Sequence, residues 1–244
     1  MNFLRSLVFL ILAVLITVPC CLLLIPMLLL PIQMRFDAVR LWRQVFIGLE
    51  RHVLGIRTVI LGRENIPDSP CVVLSKHQSA WETVALQELF WPGVFVMKRE
   101  LLLIPFFGWG LAAIRMISID RKAGKNAMRQ VLEQGANRLK RGIFVLIFPE
   151  GTRIAPGEHR SFKMGGAHLA VDAGVPVVPV AHNAGELWAK NAFIKRPGTI
   201  TLSVGPAIPT DGLTANVVNA QAEAWVEAEM RKLSPHRYSA SAGD

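Results

Sequence analysis

The sequence predicts a mixed, partly parallel α/β sheet flanked by helices, with an N-terminal membrane-anchoring helical segment. Three observations carry this. From Ile56 onward, short β-branched runs alternate with stretches of helical length. One long apolar run fills most of the first 32 residues. The polar clusters able to do chemistry follow directly on apolar runs, where ligands collect in α/β folds. The expected division is residues 1–54 for the anchor and an interfacial helix, 55–233 for the α/β domain, and 234–244 for a frayed tail.

At 244 residues the chain is long enough for one sizeable domain and an attachment. Hydrophobic residues make up 52% of it and mean hydropathy is +0.37, which points to membrane association. The net charge of +9 suits anionic partners: nucleic acid, lipid headgroups or a phosphorylated substrate. The apolar N-terminus favours lipid, and there is no zinc finger, RNP-like aromatic motif or lysine-rich tail to read nucleic acid. Cys20, Cys21 and Cys71 have neither disulfide nor zinc spacing and read as small apolar fillers in a reducing compartment.

Residues 7–32 carry no charge, and as one helix they would be about 39 Å long, enough to cross a bilayer. Arg35, Arg40, Arg43, Arg51 and Arg57 follow, which places the main domain in the cytoplasm. Pro19, Pro26 and Pro31 offer the alternative of two shorter helices dipping into one leaflet. Residues 36–54 keep helical apolar spacing with arginines between, fitting either a membrane interface or the domain core. Strands are expected at 57–61, 71–75, 94–97, 117–119, 143–148, 177–181 and 199–204. Helices are expected at 79–90, 106–115, 122–141, 165–173 and 214–233.

Four stretches carry candidate chemistry. After the first buried strand come His77 and, five positions on, Glu82. Glu82 either orients the imidazole for proton abstraction or closes a capping box with Ser79; one carboxylate is expected to serve both only in part. The second stretch, residues 97–121, sets Lys98, Arg99 and Arg121 around an apolar middle, and Phe106, Phe107 and Trp109 are expected to include at least one core residue. The third, Phe-Pro-Glu-Gly-Thr-Arg at 148–153, offers Glu150 and Arg153 on a glycine-shaped turn, with a surface ion pair as the alternative. Lys163 and the glycines before the helix at 165 suit an anion. The fourth, from Val175, reads as a strand entered through proline with an architectural role.

These four blocks, in this order, resemble the glycerolipid acyltransferase family, bacterial 1-acylglycerol-3-phosphate acyltransferases most closely, over residues 56–204. The family's His-x4-Asp motif corresponds to His77 and Glu82, with glutamate in place of the usual aspartate; its Phe-Pro-Glu-Gly-Thr-Arg block is intact. The resemblance implies a glycerol-phosphate acyltransferase-like fold and acyl transfer to the 2-hydroxyl of a lysophosphatidic acid for phospholipid biosynthesis. His77 would be the general base and Glu82 its orienter. Arg121, Glu150, Gly151, Thr152 and Arg153 would bind the glycerol phosphate, with Lys98 and Lys163 in support. It implies acyl-CoA or acyl-carrier protein as co-substrate, no metal and no other cofactor, no nucleic-acid partner, and the cytoplasmic face of a bacterial inner membrane. Alternatives are another lysolipid acceptor, such as lyso-ornithine lipid, or a non-catalytic lipid-binding membrane protein. A hydrolase is disfavoured because no Gly-x-Ser-x-Gly elbow is present.

Overall fold

The computed structural model describes residues 1–238, apart from the side chain of residue 125. Its centre is a seven-stranded mixed sheet in the order β1-β7-β6-β2-β5-β3-β4. The strands are β1 Ile56–Leu61, β2 Val72–Ser75, β3 Gly93–Lys98, β4 Ile117–Ile119, β5 Phe144–Ile147, β6 Val177–His182 and β7 Gly198–Val204. Only β6 and β7 pair antiparallel. β2 and β5 are buried along their whole length, as central strands with both faces covered must be, and apart from Ser75 both are apolar.

The connections place the site. β2 passes through α3 (Trp81–Leu89) to β3 on one side, while β5 passes through α6 (Gly165–Ala173) to β6 on the other. Right-handed crossovers in opposite directions put α3 and α6 on opposite faces and open a crevice at the carboxyl ends of β2 and β5. With α6 lie α5 (Lys125–Leu139) and α7 (Ala215–Leu233); α4 (Phe107–Ala113) shares the α3 face. α6 comes close to the sheet because Gly166 is buried there: a Cβ would stand 2.4 Å from Leu74 Cδ2. That glycine serves packing, not the anion expected at this helix start.

The N-terminal run does not continue as one helix to residue 32. α1 spans Asn2–Leu24, a tight turn at Pro26–Leu29 follows, and α2 (Ile32–Leu49) returns alongside α1. Pro26 and Pro31 supply the break, since neither can donate the helical hydrogen bond. The hairpin lies on the domain. Ser6 Oγ near one end of α1 accepts from Lys195 N at 2.9 Å, and Cys21 near the other packs on Gly110. α2 buries Phe36, Val39 and Arg43; Arg43 sits 4.4 Å from the Trp91 ring centre and 2.6 Å from Glu88. Its inner face therefore belongs to the core. Outward, α1 leaves Leu4, Ile11, Leu15 and Leu23 more than half exposed. A soluble fold does not leave such a face uncovered.

Two other expectations change. Phe106, Phe107 and Trp109 are 37%, 40% and 46% exposed, so none is a core residue. They extend the exposed apolar surface of α1. The tail is not frayed as far as it is described: Ser234 is buried, a short helix α8 covers Pro235–Tyr238, and the Arg231 guanidinium lies 5.1 Å from the Tyr238 ring centre. Residues 239–244 lie outside the described residues.

Where α2 runs into a π-helical turn (Glu50–Leu54), Glu50 is 3% exposed and one carboxyl oxygen has no hydrogen-bond partner. Burial pushes its carboxyl up to about 8, against a smaller pull from the Trp81 indole. A carboxyl raised in the fold contributes stability below its ordinary value of 4.5, and this is lost as pH rises through about 8. Glu50→Gln should therefore flatten the fall in melting temperature between those limits, as differential scanning fluorimetry would show. An unchanged slope would mean Glu50 is ionised in the fold.

Candidate active site

The sheet register brings the motifs together. Leu74 of β2 sits opposite Ile147 of β5 and Pro179 of β6, so the residues following all three strands meet at one edge. His77 comes from the first, Phe148–Arg153 from the second and His182 from the third.

His77 Nδ1 lies 2.7 Å from Glu82 Oε1. The same Oε1 accepts from the Gln78 N–H at 3.0 Å and the Ser79 N–H at 2.8 Å. Capping and orienting therefore coexist fully, because the turn wraps its donors around one carboxylate. Ser79 Oγ in turn accepts from Trp81 N at 3.1 Å, starting the helix that carries Glu82. Glu82 is completely buried, and burial alone would raise its carboxyl. His182, His77 and the Ser79 N–H together outweigh that and hold it below the ordinary carboxylate range. An ionised Glu82 fixes the proton of His77 on Nδ1 and leaves Nε2 free to accept. The imidazole stacks on Phe148 at 4.0 Å between ring centres, and Phe148 stacks on Phe95 at 5.5 Å. Glutamate at 82 thus makes the contact expected of the shorter aspartate. Glu82→Asp in this backbone should lower kcat by about 10²-fold, the scale of a 1 Å misplacement, with the fold retained by circular dichroism. Equal kcat would show that the turn can close on either side chain.

The backbone of the His77 turn is held at each step. His77 N donates to Glu150 Oε2 at 2.8 Å, and His77 O accepts from Ile154 N at 2.7 Å. The Lys76 carbonyl accepts from His182 Nε2 at 2.9 Å, and Gln78 Oε1 accepts from Gly185 N at 3.1 Å. Burial lowers the His182 pKa, and Nε2 carries the proton that it donates to the Lys76 carbonyl. Below them Lys76, wholly buried, pairs with Glu150 Oε1 at 2.8 Å and Glu227 Oε1 at 2.7 Å. Burial alone would lower the Lys76 ammonium, but the two carboxylates hold it above the ordinary lysine range.

Glu150 is thereby corrected. It is 0% exposed, one oxygen on Lys76 and the other on His77 N, so it braces the His77 turn rather than facing a ligand. Gly151 takes φ 74°, a left-handed turn favouring glycine, and its carbonyl accepts from Arg121 Nη1. Lys163 also departs from expectation: it packs its ammonium against Gly151 and does not line the cavity.

His77, Lys98, Arg121, Thr152 and Arg153 do line one cavity of about 490 Å³. Its polar mouth also carries Lys190, whose Nζ donates to the Arg153 carbonyl at 3.3 Å. Its interior is apolar, walled by Val84 of α3, Leu111 and Ile114 beside α4, and Cys20, Leu24 and Trp42 of the hairpin. The sequence reading missed Lys76, His182, Phe95 and this hairpin wall. A charged residue immediately before His77, and a histidine ending a buried strand, were the available signals for the first two.

Sheet, turns and cavity together define an α/β enzyme with a histidine–carboxylate centre at the switch point of its sheet. A sequence model of the family described as Acyltransferase matches residues 57–183, just over half of the chain. The 1-acyl-sn-glycerol-3-phosphate acyltransferase of Pseudomonas aeruginosa is 50% identical over 210 residues, covering 84% of this chain and 82% of that protein. The human 1-acyl-sn-glycerol-3-phosphate acyltransferase alpha is 36% identical over 177 residues, 71% of this chain and 62% of the human one. The crystal structure of the 1-acyl-sn-glycerophosphate (LPA) acyltransferase from Thermotoga maritima has a TM-score of 0.80 at 25% identity, covering 100% of this chain and 98% of that one. The chain belongs to the acyltransferase family.

Proposed function

We propose that the protein transfers a fatty acyl group from a thioester donor, acyl-CoA or acyl-carrier protein, to the 2-hydroxyl of 1-acyl-sn-glycerol 3-phosphate. The product is phosphatidic acid. The observation that carries this reading is a free imidazole nitrogen at the junction of a cationic mouth and an apolar cavity. That junction suits a lipid with a phosphate at one end and hydrocarbon at the other.

His77 Nε2 takes the proton of the acceptor hydroxyl as its oxygen attacks the thioester carbonyl carbon. The C–S bond breaks, and the thiolate leaves with the proton that His77 carried. Glu82 stabilises the imidazolium formed between these steps. Arg121, Arg153 and Lys98 hold the acceptor phosphate, Arg121 being fixed through the Gly151 carbonyl. These three cations favour a phosphate-bearing acceptor over a phosphate-free lysolipid. No covalent acyl-enzyme, metal or further cofactor enters the reaction.

The apolar cavity takes an acyl chain, and its depth then selects chain length. Leu111→Trp should move the preferred donor to shorter acyl chains while keeping kcat on those short chains. An unchanged chain-length profile would place the acyl group elsewhere.

The protein works on the cytoplasmic face of a bacterial inner membrane. The hairpin enters one leaflet rather than crossing, which fits an α1 in contact with the domain near both ends. Turnover of lysophosphatidic acid by purified protein in detergent, with each donor in turn, tests the reaction. Phosphatidic acid is expected. Acylation of lyso-ornithine lipid alone would reassign the acceptor, and no product with any acceptor would leave a lipid-binding protein.

A further inference from the structure

The proposed reaction uses the carboxyl ends of the parallel strands. At their opposite ends a second basic group gathers. Arg35, in the first turn of α2, is 6% exposed. Its Nη1 donates to the Ala113 carbonyl at 2.7 Å and its Nη2 to the Leu30 carbonyl at 3.3 Å, while its Nε–H has no acceptor. Two residues past Ala113, just before β4, Arg115 is exposed. Its carbonyl accepts from Arg138 Nε at 2.9 Å. Arg141 follows one turn after Arg138, just before β5, and is exposed as well. Among the described residues no carboxylate forms an ion pair with any of these four. Burial, and then the charge of Arg115, lower the pKa of both Arg35 and Arg138.

Like charges gathered without a counter-charge repel one another and attract anions. The surroundings say which anion. Leu30, whose carbonyl Arg35 holds, closes the hairpin turn, where Leu28 is 53% and Leu29 93% exposed. Nothing among the described residues covers these leucines. An anion bound here would have hydrocarbon beside its charge.

We propose that Arg115, Arg138 and Arg141 bind the phosphate of an anionic phospholipid whose chains lie against the leucines of the hairpin turn, with the buried Arg35 adding its charge from beneath. This lipid is an anchor, not the acceptor, because the arginines and His77 stand at opposite ends of the sheet. With the cationic mouth of the active site, the cluster gives the exposed apolar face a basic rim on two sides. That arrangement holds the face flat on an anionic membrane. The proposal rests on the membrane-associated reading above and adds a site to it.

Vesicle co-sedimentation of the full-length protein tests it, with phosphatidylcholine vesicles compared with vesicles also containing phosphatidylglycerol. The variant combines Arg115→Gln, Arg138→Gln and Arg141→Gln, leaving the buried Arg35 in place. A control combines Arg57→Gln, Arg63→Gln and Arg160→Gln, three exposed cations elsewhere. Each cation near an anionic surface adds about fivefold to binding, so the variant should lose at least about tenfold of the preference for anionic vesicles and the control much less. Both should still bind neutral vesicles through the apolar face and keep acylation in detergent. Equal losses in the two would mean diffuse electrostatics and overturn the site. Inorganic phosphate that raises the melting temperature of wild type but not of the variant, without any vesicle preference, would assign a free-anion site instead. Wild type that binds no vesicle at all would sink the membrane reading itself, whereas binding that ignores lipid charge would sink only the arginine site.

Discussion

His77→Ala should lower kcat for acyl transfer by about 10³-fold, within the range for loss of a positioned general base, while leaving the fold and lipid binding intact. The expectation rests on geometry. The ring is only 14% exposed, its Nδ1 is committed to Glu82, and stacking on Phe148 holds the plane. Alanine removes the acceptor nitrogen without disturbing the backbone, because the bonds at His77 N and O are main-chain and survive. Lysophosphatidic acid should bind to the variant as to wild type, since the cations at the mouth are untouched. A kcat within tenfold of wild type would remove His77 from the chemistry.

Lys76→Met should cost about 3–5 kcal/mol of stability, the penalty for removing one partner of a buried ion pair. Methionine fills most of the space but leaves Glu150 and Glu227 facing each other without a counter-charge. Burial already raises the Glu150 carboxyl to about 7 with Lys76 in place, and without the ammonium it rises further. The variant carboxyl is then neutral at low pH and needs no partner. The loss should therefore grow as pH rises above about 7, where wild-type Glu150 ionises and the variant's does not, and level off below it. Denaturant unfolding at two pH values measures this. A pH-independent loss would trace the effect to packing alone. Activity should fall as well, because Glu150 also holds His77 N.

Much of this arrangement is legible in the sequence, and the parts that are not share a physical cause. All seven strands fall where apolar, β-branched runs mark them, and the helix at 165–173 matches to the residue, because Gly174 ends it in a left-handed cap. The His77–Glu82 contact follows from spacing on one turn. Glu150 misleads because a carboxylate on a glycine turn reads as a ligand. Only the register of β2 against β5 shows that it points at Lys76. Lys76 itself reads as a surface lysine in one dimension, and burial appears only once three strand ends converge. The cavity wall is invisible for the same reason: Cys20, Leu24 and Trp42 lie dozens of residues from the strands they cover. The hairpin was marked by Pro26 and Pro31, but composition alone does not say that both helices dock on the domain.

The proposed transfer is direct: His77 activates the acceptor hydroxyl, and the enzyme never carries the acyl group. Rapid-quench kinetics with a labelled acyl thioester, combined with intact-protein mass, tests it most directly. Without acceptor, direct transfer gives no burst of free thiol and no mass increase. With lysophosphatidic acid, thiol and phosphatidic acid should appear together and in equal amounts. A burst of thiol without acceptor, or an acylated protein species that decays into product, would contradict it.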